Sequence, residues 1–321
     1  MISIIIPMYN AKKTILQTLN GLEKQTFTNF EVIIVDDGST DNSLSLIENF
    51  IKGSKLIIKT IHEKNSGPAK ARNLGVQNSN GEIIIFLDSD CIPPENWIEE
   101  MIKPLQGNIV GCNCGYKVKN KESIIARYID YEIAKRHERL TKTSIDTVGT
   151  YSASFIKSIF LEVGGFDTKY RNASGEDFDF SFKIKNLGYN LIFTSNTFVY
   201  HYHPDTLSKY LKQQASRGYW RVRLYLENKD KIIKGDSYTG YEAQIQFVLS
   251  ILAFISIFFV IINPLIPIIF ISMFILSNVP IGIWAFNKEW EFLFIAPILA
   301  CLRSIAGTVG VLNYCINKLI P

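Results

Sequence analysis

The amino-acid sequence predicts an α/β fold with a mostly parallel, doubly wound sheet, followed by a helical membrane region. Short apolar segments alternate with helix-like segments over residues 1–90, which is the pattern of strands joined by crossover helices. The charge distribution changes near residue 245, because positions 245–312 contain four charged residues: Lys288, Glu289, Glu291 and Arg303. The sequence therefore predicts a soluble domain over residues 1–235 and a membrane region over residues 236–321.

The order of the predicted elements supports the parallel sheet. The predicted strands are the apolar runs Ile2–Pro7, Glu31–Val35, Lys55–Ile61 and Glu82–Leu87. The predicted helices between them are Ala11–Leu22, Leu44–Ile51 and Gly67–Gln77. Nearly uniform apolar strands are typical of a sheet covered on both faces. Beyond residue 110 the pattern is less regular, and it predicts an amphipathic helix at Ser123–Leu140, a helix at Phe178–Leu187 and a strand at Asn190–Val199.

The membrane region contains two or three apolar helices. Residues 245–262 carry no charge and span about 27 Å as a helix, enough to cross the hydrocarbon core. Asn263 and Pro264 interrupt this run, and residues 265–286 can form a returning helix. Residues 292–312 contain Arg303 and fit either a third span or an interfacial helix.

Charge and cysteine content indicate the expected location. The net charge of +4 is too small to indicate a nucleic-acid partner. Eight Lys or Arg side chains against three acids lie between His203 and Lys234, which suits a cytoplasmic segment facing anionic lipid or, alternatively, a solvated helix face. The five cysteines form no CxxC pair, so we expect a reducing environment and no structural zinc. Because Met1 leads directly into a strand, we expect no signal peptide and a soluble domain on the cytoplasmic face of the cell membrane.

Three polar clusters follow predicted strands: residues 8–10, Asp36-Asp37 and Asp88–Asp90. Ligands of such sheets bind beyond the carboxyl ends of the strands, so these clusters are expected to share one crevice. Asp88 and Asp90 can offer oxygen ligands to Mg²⁺ or Mn²⁺, which would also neutralise a bound diphosphate. A pair of aspartates at this spacing is by itself more often a turn, but its position after a buried strand favours a metal site.

Five sequence blocks together carry a resemblance. They are SIIIPMYN, EVIIVDDGSTDNS, NSGPAKARNLG, IIFLDSDCIPP and GGFDTKY with GEDFDFSFKIKNLGY. Their order and approximate spacing resemble the inverting family 2 glycosyltransferases of the GT-A fold, over residues 1–225. The resemblance implies a GT-A (Rossmann-like) catalytic domain that uses a nucleotide-sugar donor, with UDP as the expected nucleotide and GDP as an alternative.

The resemblance also implies roles for residues at the nucleotide edge. Pro7, Tyr9, Asp36 and Asp37 match the positions at which the family binds the base and ribose. Capping of a helix is an alternative role for Asp37. Arg72 and Asn73 resemble further contacts on the nucleotide side.

The family's catalytic pair corresponds to Glu176 and Asp177. The resemblance makes Asp177 the general base, since an acceptor hydroxyl must lose its proton as it attacks the anomeric carbon. Glu176 is expected to position the acceptor or to support the base. The alternative is that these acids only stabilise the start of the following helix.

Two further elements extend the expected site. His201 or His203 could complete the metal shell, because alternation along an extended segment aims both to one side. Arg217 lies in QQASRG, which is similar to the QxxRW element of processive synthases with Gly218 in place of the tryptophan. Arg217 is therefore expected either to contact the diphosphate or to lie on a plain basic helix.

The sequence thus predicts a membrane-anchored inverting glycosyltransferase that acts on a lipid-linked glycan or a polyprenyl-phosphate acceptor. A processive polysaccharide synthase and a non-catalytic membrane scaffold are the alternatives. The missing tryptophan and the few spans count against the synthase, and the presence of Asp88, Asp90 and Asp177 counts against the scaffold. A dinucleotide-dependent dehydrogenase is excluded because no GxGxxG follows the first strand.

Overall fold

The computed structural model describes residues 1–140, 144–170 and 175–319, without the side chains of residues 233, 234 and 319. The chain forms two compact units. The first unit comprises Met1–Lys119 and Arg139–Tyr202, and the second comprises Asn120–Glu138 and His203–Pro321. The predicted division at residue 235 follows the chain, whereas these units follow packing, so residues 120–138 and 203–234 group with the apolar helices.

The first unit is built on an eight-stranded mixed sheet with the order β3-β2-β1-β4-β7-β6-β8-β5. The strands are β1 (Ile2–Met8), β2 (Phe30–Asp36), β3 (Ile57–His62), β4 (Ile83–Leu87), β5 (Cys91–Ile92), β6 (Ile109–Val118), β7 (Ser152–Ile156) and β8 (Asn190–His201). Strands β3, β2, β1 and β4 are parallel, as are β6 and β8. Strand β7 pairs antiparallel with β4 and β6, and β5 pairs antiparallel with β8.

Helices cover the sheet and form most of the second unit. Those that begin in the first 200 residues are α1 (Ile15–Glu23), α2 (Ser43–Ile51), α3 (Pro68–Gln77), α4 (Trp97–Ile102), α5 (Ile124–Leu140), α6 (Lys157–Glu162) and α7 (Glu176–Asn186). The remaining helices are α8 (Leu207–Glu227), α9 (Asp230–Lys234), α10 (Gly240–Ser256), α11 (Leu265–Ser277), α12 (Val279–Phe286) and α13 (Phe292–Leu319). A 3₁₀ turn, Ile257–Phe259, extends α10.

The predicted α/β fold is confirmed. Strand β1 shows why, because its isoleucines favour extended backbone and are buried on both faces of the sheet. Strands β5, β6 and β7 were not predicted. Strand β5 has two residues, and β6 includes Gly111 and Asn113, which have low strand propensity. Helix α7 begins at Glu176, two residues before its predicted start, so the predicted catalytic pair lies in its first turn.

Among the residues that the structure describes, three apolar helices of the second unit have a length and composition that would allow them to cross a membrane: Gly240–Phe259, Leu265–Phe286 and Phe292–Lys318. Helices α8 and α13 approach at their backbones. A Cβ atom at Gly218 would lie 2.2 Å from the carbonyl oxygen of Gly307, and one at Gly310 would lie 1.9 Å from that of Ala215. Small residues permit such contact between helices. Gly218, which stands in place of the tryptophan of processive synthases, is therefore required by this packing.

Candidate active site

The two acidic residues at the end of β2 bind neighbouring loops. Asp36 is fully buried, and its Oδ2 atom lies 2.6 Å from Nδ1 of His62, at the end of β3. The carboxylate of Asp37 accepts the backbone N–H groups of Ser66 at 2.7 Å and Gly67 at 2.9 Å. Because Ser66 and Gly67 directly precede α3, Asp37 fixes the loop that leads into that helix. Helix capping by Asp37 and contact of either carboxylate with a nucleotide both stay predictions.

The loop after β1 is fixed beside the loop after β2. Asn10 has a left-handed backbone conformation, with φ 52°, which asparagine tolerates better than most residues. Its Oδ1 atom accepts the backbone N–H of Thr40 at 2.8 Å and of Asp41 at 3.2 Å. Tyr9 is 51% exposed, and Pro7 is half-buried near the end of β1. Both therefore lie at the carboxyl edge of the parallel strands, where the base was predicted to bind.

A single arginine joins the turn after β4 to the first turn of α7. Arg72 Nη2 lies 2.8 Å from Asp88 Oδ1, and Arg72 Nη1 lies 3.0 Å from Glu176 Oε1. The Arg72 and Glu176 side chains are buried, whereas Asp88 is 31% exposed. Burial raises the pKa of Asp88, although the Arg72 guanidinium opposes this. Residues separated by more than one hundred positions are thus brought into one charged group.

Asp90 and His201 form a second group, in which ligand atoms converge. Asp90 Oδ2 lies 3.4 Å from His201 Nε2, and ligand atoms of Asp90, Cys91 and His201 lie within 4.8 Å of one another. Cys91 and His201 are paired across the β5–β8 ladder, so their side chains share a face of the sheet. Burial acts to raise the pKa of Asp90, but the neighbouring His201 lowers it below its ordinary value.

These residues fit a hard divalent cation. A carboxylate and an imidazole are available at Asp90 and His201, and Asp88 lies two residues away with part of its carboxylate exposed. Burial and the nearby carboxylate of Asp90 raise the pKa of the Cys91 thiol well above its usual value. A thiol that stays protonated is a poor metal ligand, so Cys91 lines the site and is not expected to bind the metal.

Two of the predicted site residues lie in the second unit. His203 is buried, and its backbone N–H and C=O groups bond to the side chain of Asn120 at 3.1 and 2.9 Å. Strand β8 ends at His201, so the alternation that was expected to align the two histidines does not extend to His203. Arg217 lies half-buried in α8. The roles of His203 in the metal shell and of Arg217 on the diphosphate stay predictions.

Asp177 has the environment of a general base. It lies in the first turn of α7, where its Oδ1 atom accepts the backbone N–H of Phe178 at 2.9 Å. Burial, followed by the negative charge of Glu176, raises the pKa of Asp177 to about 7, with Arg72 opposing the shift. A carboxylate with a pKa near neutrality can accept a proton far better than an ordinary aspartate.

Asn73, the neighbour of Arg72, is bound to the chain that precedes α7. Its Nδ2 atom donates to the carbonyl of Phe166 at 2.8 Å, and its Oδ1 atom accepts the N–H of Phe166 at 2.9 Å. Sequence reasoning missed this contact and also missed His62 and Cys91. The position of His62 directly after a predicted strand could have indicated it, but nothing in the sequence pairs Asn73 with Phe166.

Comparison with known proteins decides the family. A family model described as Glycosyl transferase family 2 matches residues 3–163. The chain belongs to this family. It is therefore a glycosyltransferase, as its sequence blocks predicted. The glycosyltransferase AglE of Haloferax volcanii is 27% identical over 231 residues, which cover 70% of this chain and 74% of AglE. The glycosyltransferase GlyG of Streptococcus pneumoniae serotype 4 is 34% identical over 133 residues, which cover 41% of this chain and 40% of GlyG.

Solved structures share the fold of this glycosyltransferase at low sequence identity. The mannosyltransferase PcManGT from Pyrobaculum calidifontis, in complex with GDP-Man and Mn²⁺, superposes with a TM-score of 0.66 at 16% identity, covering 99% of this chain and 87% of that one. S. aureus TarS 1-349 in complex with UDP superposes with a TM-score of 0.51 at 19% identity, covering 98% and 91%. The chain therefore has the GT-A fold.

Proposed function

We propose that this glycosyltransferase transfers a sugar from a nucleoside-diphosphate sugar to a lipid-linked or membrane-proximal acceptor, with inversion at the anomeric carbon. One observation carries the proposal. Arg72 joins the Asp88–Asp90 turn, suited to a metal and a diphosphate, to the helix turn that holds Asp177. The residues for leaving-group stabilisation and for proton abstraction therefore belong to a single charged network.

The donor is proposed to be a UDP-sugar, with a GDP-sugar as the alternative. TarS was solved with UDP and PcManGT with GDP-Man, so both nucleotides occur among proteins of this fold. Tyr9 and the loops fixed by Asp36 and Asp37 are proposed to hold the base and ribose. A bound Mg²⁺ or Mn²⁺ would supply neutralisation of the diphosphate charge, and Asp88, Asp90 and His201 are the residues proposed to hold it.

The proposed chemistry is a single displacement. The acceptor hydroxyl oxygen forms a bond to the anomeric carbon while the bond from that carbon to the diphosphate oxygen breaks. The hydroxyl proton moves to the Asp177 carboxylate, whose raised pKa of about 7 suits it to accept a proton. Glu176 is buried against Arg72, and its proposed role is to support the base. A product that keeps the donor's anomeric configuration would contradict this scheme.

The acceptor is proposed to lie at a membrane. The three apolar helices support anchoring, and their large exposed apolar residues, among them Phe258, Ile268 and Ile283, suit a lipid-facing surface. We propose that the catalytic unit faces the cytoplasm, where nucleotide sugars are available. The acceptor would then be a lipid-linked glycan or a polyprenyl phosphate, whose apolar part stays in the bilayer.

The test uses purified protein in detergent with a panel of UDP- and GDP-sugars, Mn²⁺ or Mg²⁺, and a membrane lipid extract. Released nucleoside diphosphate is measured for the wild type, Asp90→Ala and the control Glu95→Ala, an exposed acid five residues further on. We expect one donor to be turned over only with metal and lipid, and Asp90→Ala to lower the rate at least about 100-fold while Glu95→Ala does not.

Two results would overturn the proposal. Turnover that is independent of metal would remove the proposed role of Asp90. The absence of both turnover and nucleotide binding across the panel would favour the non-catalytic scaffold. Repeated addition of sugar to one acceptor would instead favour a processive synthase, although no observation in the structure supports it.

A further inference from the structure

Helix α3 carries two adjacent side chains that reach the segment leading to the proposed base. Arg72 donates to Glu176 at 3.0 Å, and Asn73 makes two hydrogen bonds to the backbone of Phe166, at 2.8 and 2.9 Å. Phe166 precedes α7, and Glu176 lies in the first turn of that helix. Helix α3 therefore contacts the chain at two points, one before α7 and one in the first turn of α7.

These contacts occupy most of the hydrogen-bonding atoms of both side chains, which leaves few to bind a nucleotide. Both polar atoms of the Asn73 amide are bonded to Phe166. The Arg72 side chain is 3% exposed, and its two terminal nitrogens are paired with Asp88 and Glu176. A contact with the nucleotide-sugar donor requires accessible hydrogen-bonding atoms. Both amide atoms of Asn73 and the two terminal nitrogens of Arg72 are already bonded inside the protein.

We propose that Arg72 and Asn73 are positioning residues, which hold Phe166 and the first turn of α7 against α3 and thereby orient the Asp177 carboxylate. This role differs from the nucleotide contact that the family resemblance implied for both residues. The proposal rests on the proposed function in one respect, the assignment of Asp177 as the base. The anchoring itself is independent of that assignment.

Two neighbouring glycines support the Asn73 contact and provide a matched pair. Gly164 and Gly165 both have positive φ values, 89° and 72°. A Cβ atom at Gly165 would lie 2.8 Å from Asn73 Oδ1, whereas one at Gly164 would meet nothing within 4 Å. The two positions share the same backbone restriction, and only Gly165 permits the close approach of Asn73.

One atom of Arg72 supports a competing explanation, in which this side chain contacts the nucleotide. Among the described residues, Arg72 Nε is buried without a hydrogen-bond partner. A phosphate or base oxygen that reached this atom would make Arg72 a donor ligand. The experiment therefore has to separate loss of nucleotide affinity from loss of local order.

The experiment compares Asn73→Ala, Arg72→Lys and Gly165→Ala with the controls Lys70→Ala and Gly164→Ala. Lys70 is an exposed residue of the same helix that pairs with Glu63. Hydrogen exchange is measured in peptides covering residues 164–170 and 175–186, and the affinity for UDP with Mn²⁺ is measured by calorimetry. Turnover is recorded in parallel with the donor found in the panel.

We expect faster exchange, by at least about tenfold, in these peptides for all three test variants and not for the two controls. UDP affinity is expected to stay within about threefold, and kcat to fall about 10- to 100-fold, because a misplaced base slows the chemical step more than it weakens donor binding. Arg72→Lys keeps the charge but cannot bridge two carboxylates, so its kcat is expected to fall as well.

Unchanged exchange in Asn73→Ala and Arg72→Lys would overturn the proposal, whatever the enzyme's activity. A loss of UDP affinity of tenfold or more with unchanged exchange would make these residues donor contacts instead. If the wild type bound no UDP, the proposed donor would be wrong, while the exchange comparison would still decide whether Arg72 and Asn73 anchor the segment.

Discussion

Each compact unit contains a largely buried arginine paired with carboxylates, but the balance of charge differs between the two units. In the first unit, Arg72 stands alone against Asp88, Glu176 and the nearby charge of Asp177. Burial raises the pKa of both Asp88 and Asp177, and in each case the negative charge of a neighbouring acid adds to the shift. The pKa of Asp177 rises to about 7.

In the second unit the arginines outnumber the carboxylate. Glu132 of α5 is bonded to both Arg136 and Arg303, and it also accepts the hydroxyl of Tyr210 at 3.1 Å. Burial acts to raise the pKa of Glu132, but the two arginines prevail and lower it to about 2. Arg303 donates as well to Gln246 of α10. Every charge in this group therefore has an opposite charge beside it.

The comparison shows how the same interactions serve two purposes. A buried acid that faces surplus positive charge is locked in the ionised state and stabilises the packing of helices. A buried acid that lies beside another acid has a pKa that is raised towards neutrality, so it is available for proton transfer near neutral pH. We therefore expect substitutions in the first unit to change turnover and those in the second to change stability.

The largest effect is expected for Asp177→Asn. Removal of the proposed base should lower kcat about 10³-fold or more without lowering donor affinity, since the carboxylate is proposed to act on the acceptor proton. The matched control is Asp179→Asn, because Asp179 lies on the same helix and is already paired with Lys183 at 2.7 Å. Equal loss of turnover in both variants would show that the helix start, and not the base, had been disturbed.

Glu132→Gln is expected to give the next largest effect, on stability. The substitution leaves Arg136 and Arg303 without their carboxylate, and breaking a buried ion pair from one side costs about 3–5 kcal/mol. Denaturant unfolding in detergent measures this, with the exposed Glu122→Gln as the control. Turnover per folded molecule should stay the same. Lost turnover at unchanged stability would contradict the structural role of Glu132.

Gly218→Ala tests the packing of α8 on α13. The added Cβ would lie 2.2 Å from the carbonyl oxygen of Gly307, so the helices must separate, at an expected cost of about 1–3 kcal/mol. A Cβ at Gly307 meets nothing within 4 Å, and Gly307→Ala is therefore the control on the same pair of helices. Similar unfolding of the two variants would exclude this backbone contact.

The smallest effect is the pH dependence of the wild type. As the proposed base, Asp177 must be deprotonated to act, so we expect kcat/KM to fall about tenfold per pH unit below about 7. Stability should not fall in that window. A raised pKa means that the folded state binds the Asp177 proton more tightly, which adds stability as pH falls. The contribution of Glu132 is lost only as pH falls from about 4.5 towards 2. A parallel loss of activity and stability between pH 7 and 5 would contradict this.

Much of the fold follows from local patterns. The isoleucine-rich run of β1 and the alternation of strands and helices through β4 predict the parallel sheet, because apolar periodicity depends on residues close in sequence. The position of Asp88 after a buried strand likewise predicts its place at the edge of the sheet. Strands β5 and β7 have no such pattern and form because partner strands are present.

The sequence by itself determined the family, the apolar helices and the candidate side chains, since each depends on residue types at short spacing. The tertiary structure decided which of those side chains meet. Arg72 and Glu176 are separated by 104 positions, and Asn73 and Phe166 by 93. Contacts at such separations depend on how the whole chain closes, and no local propensity encodes that closure. The pKa of Asp177 was undetermined for the same reason, because it arises from burial and from charges that only folding assembles.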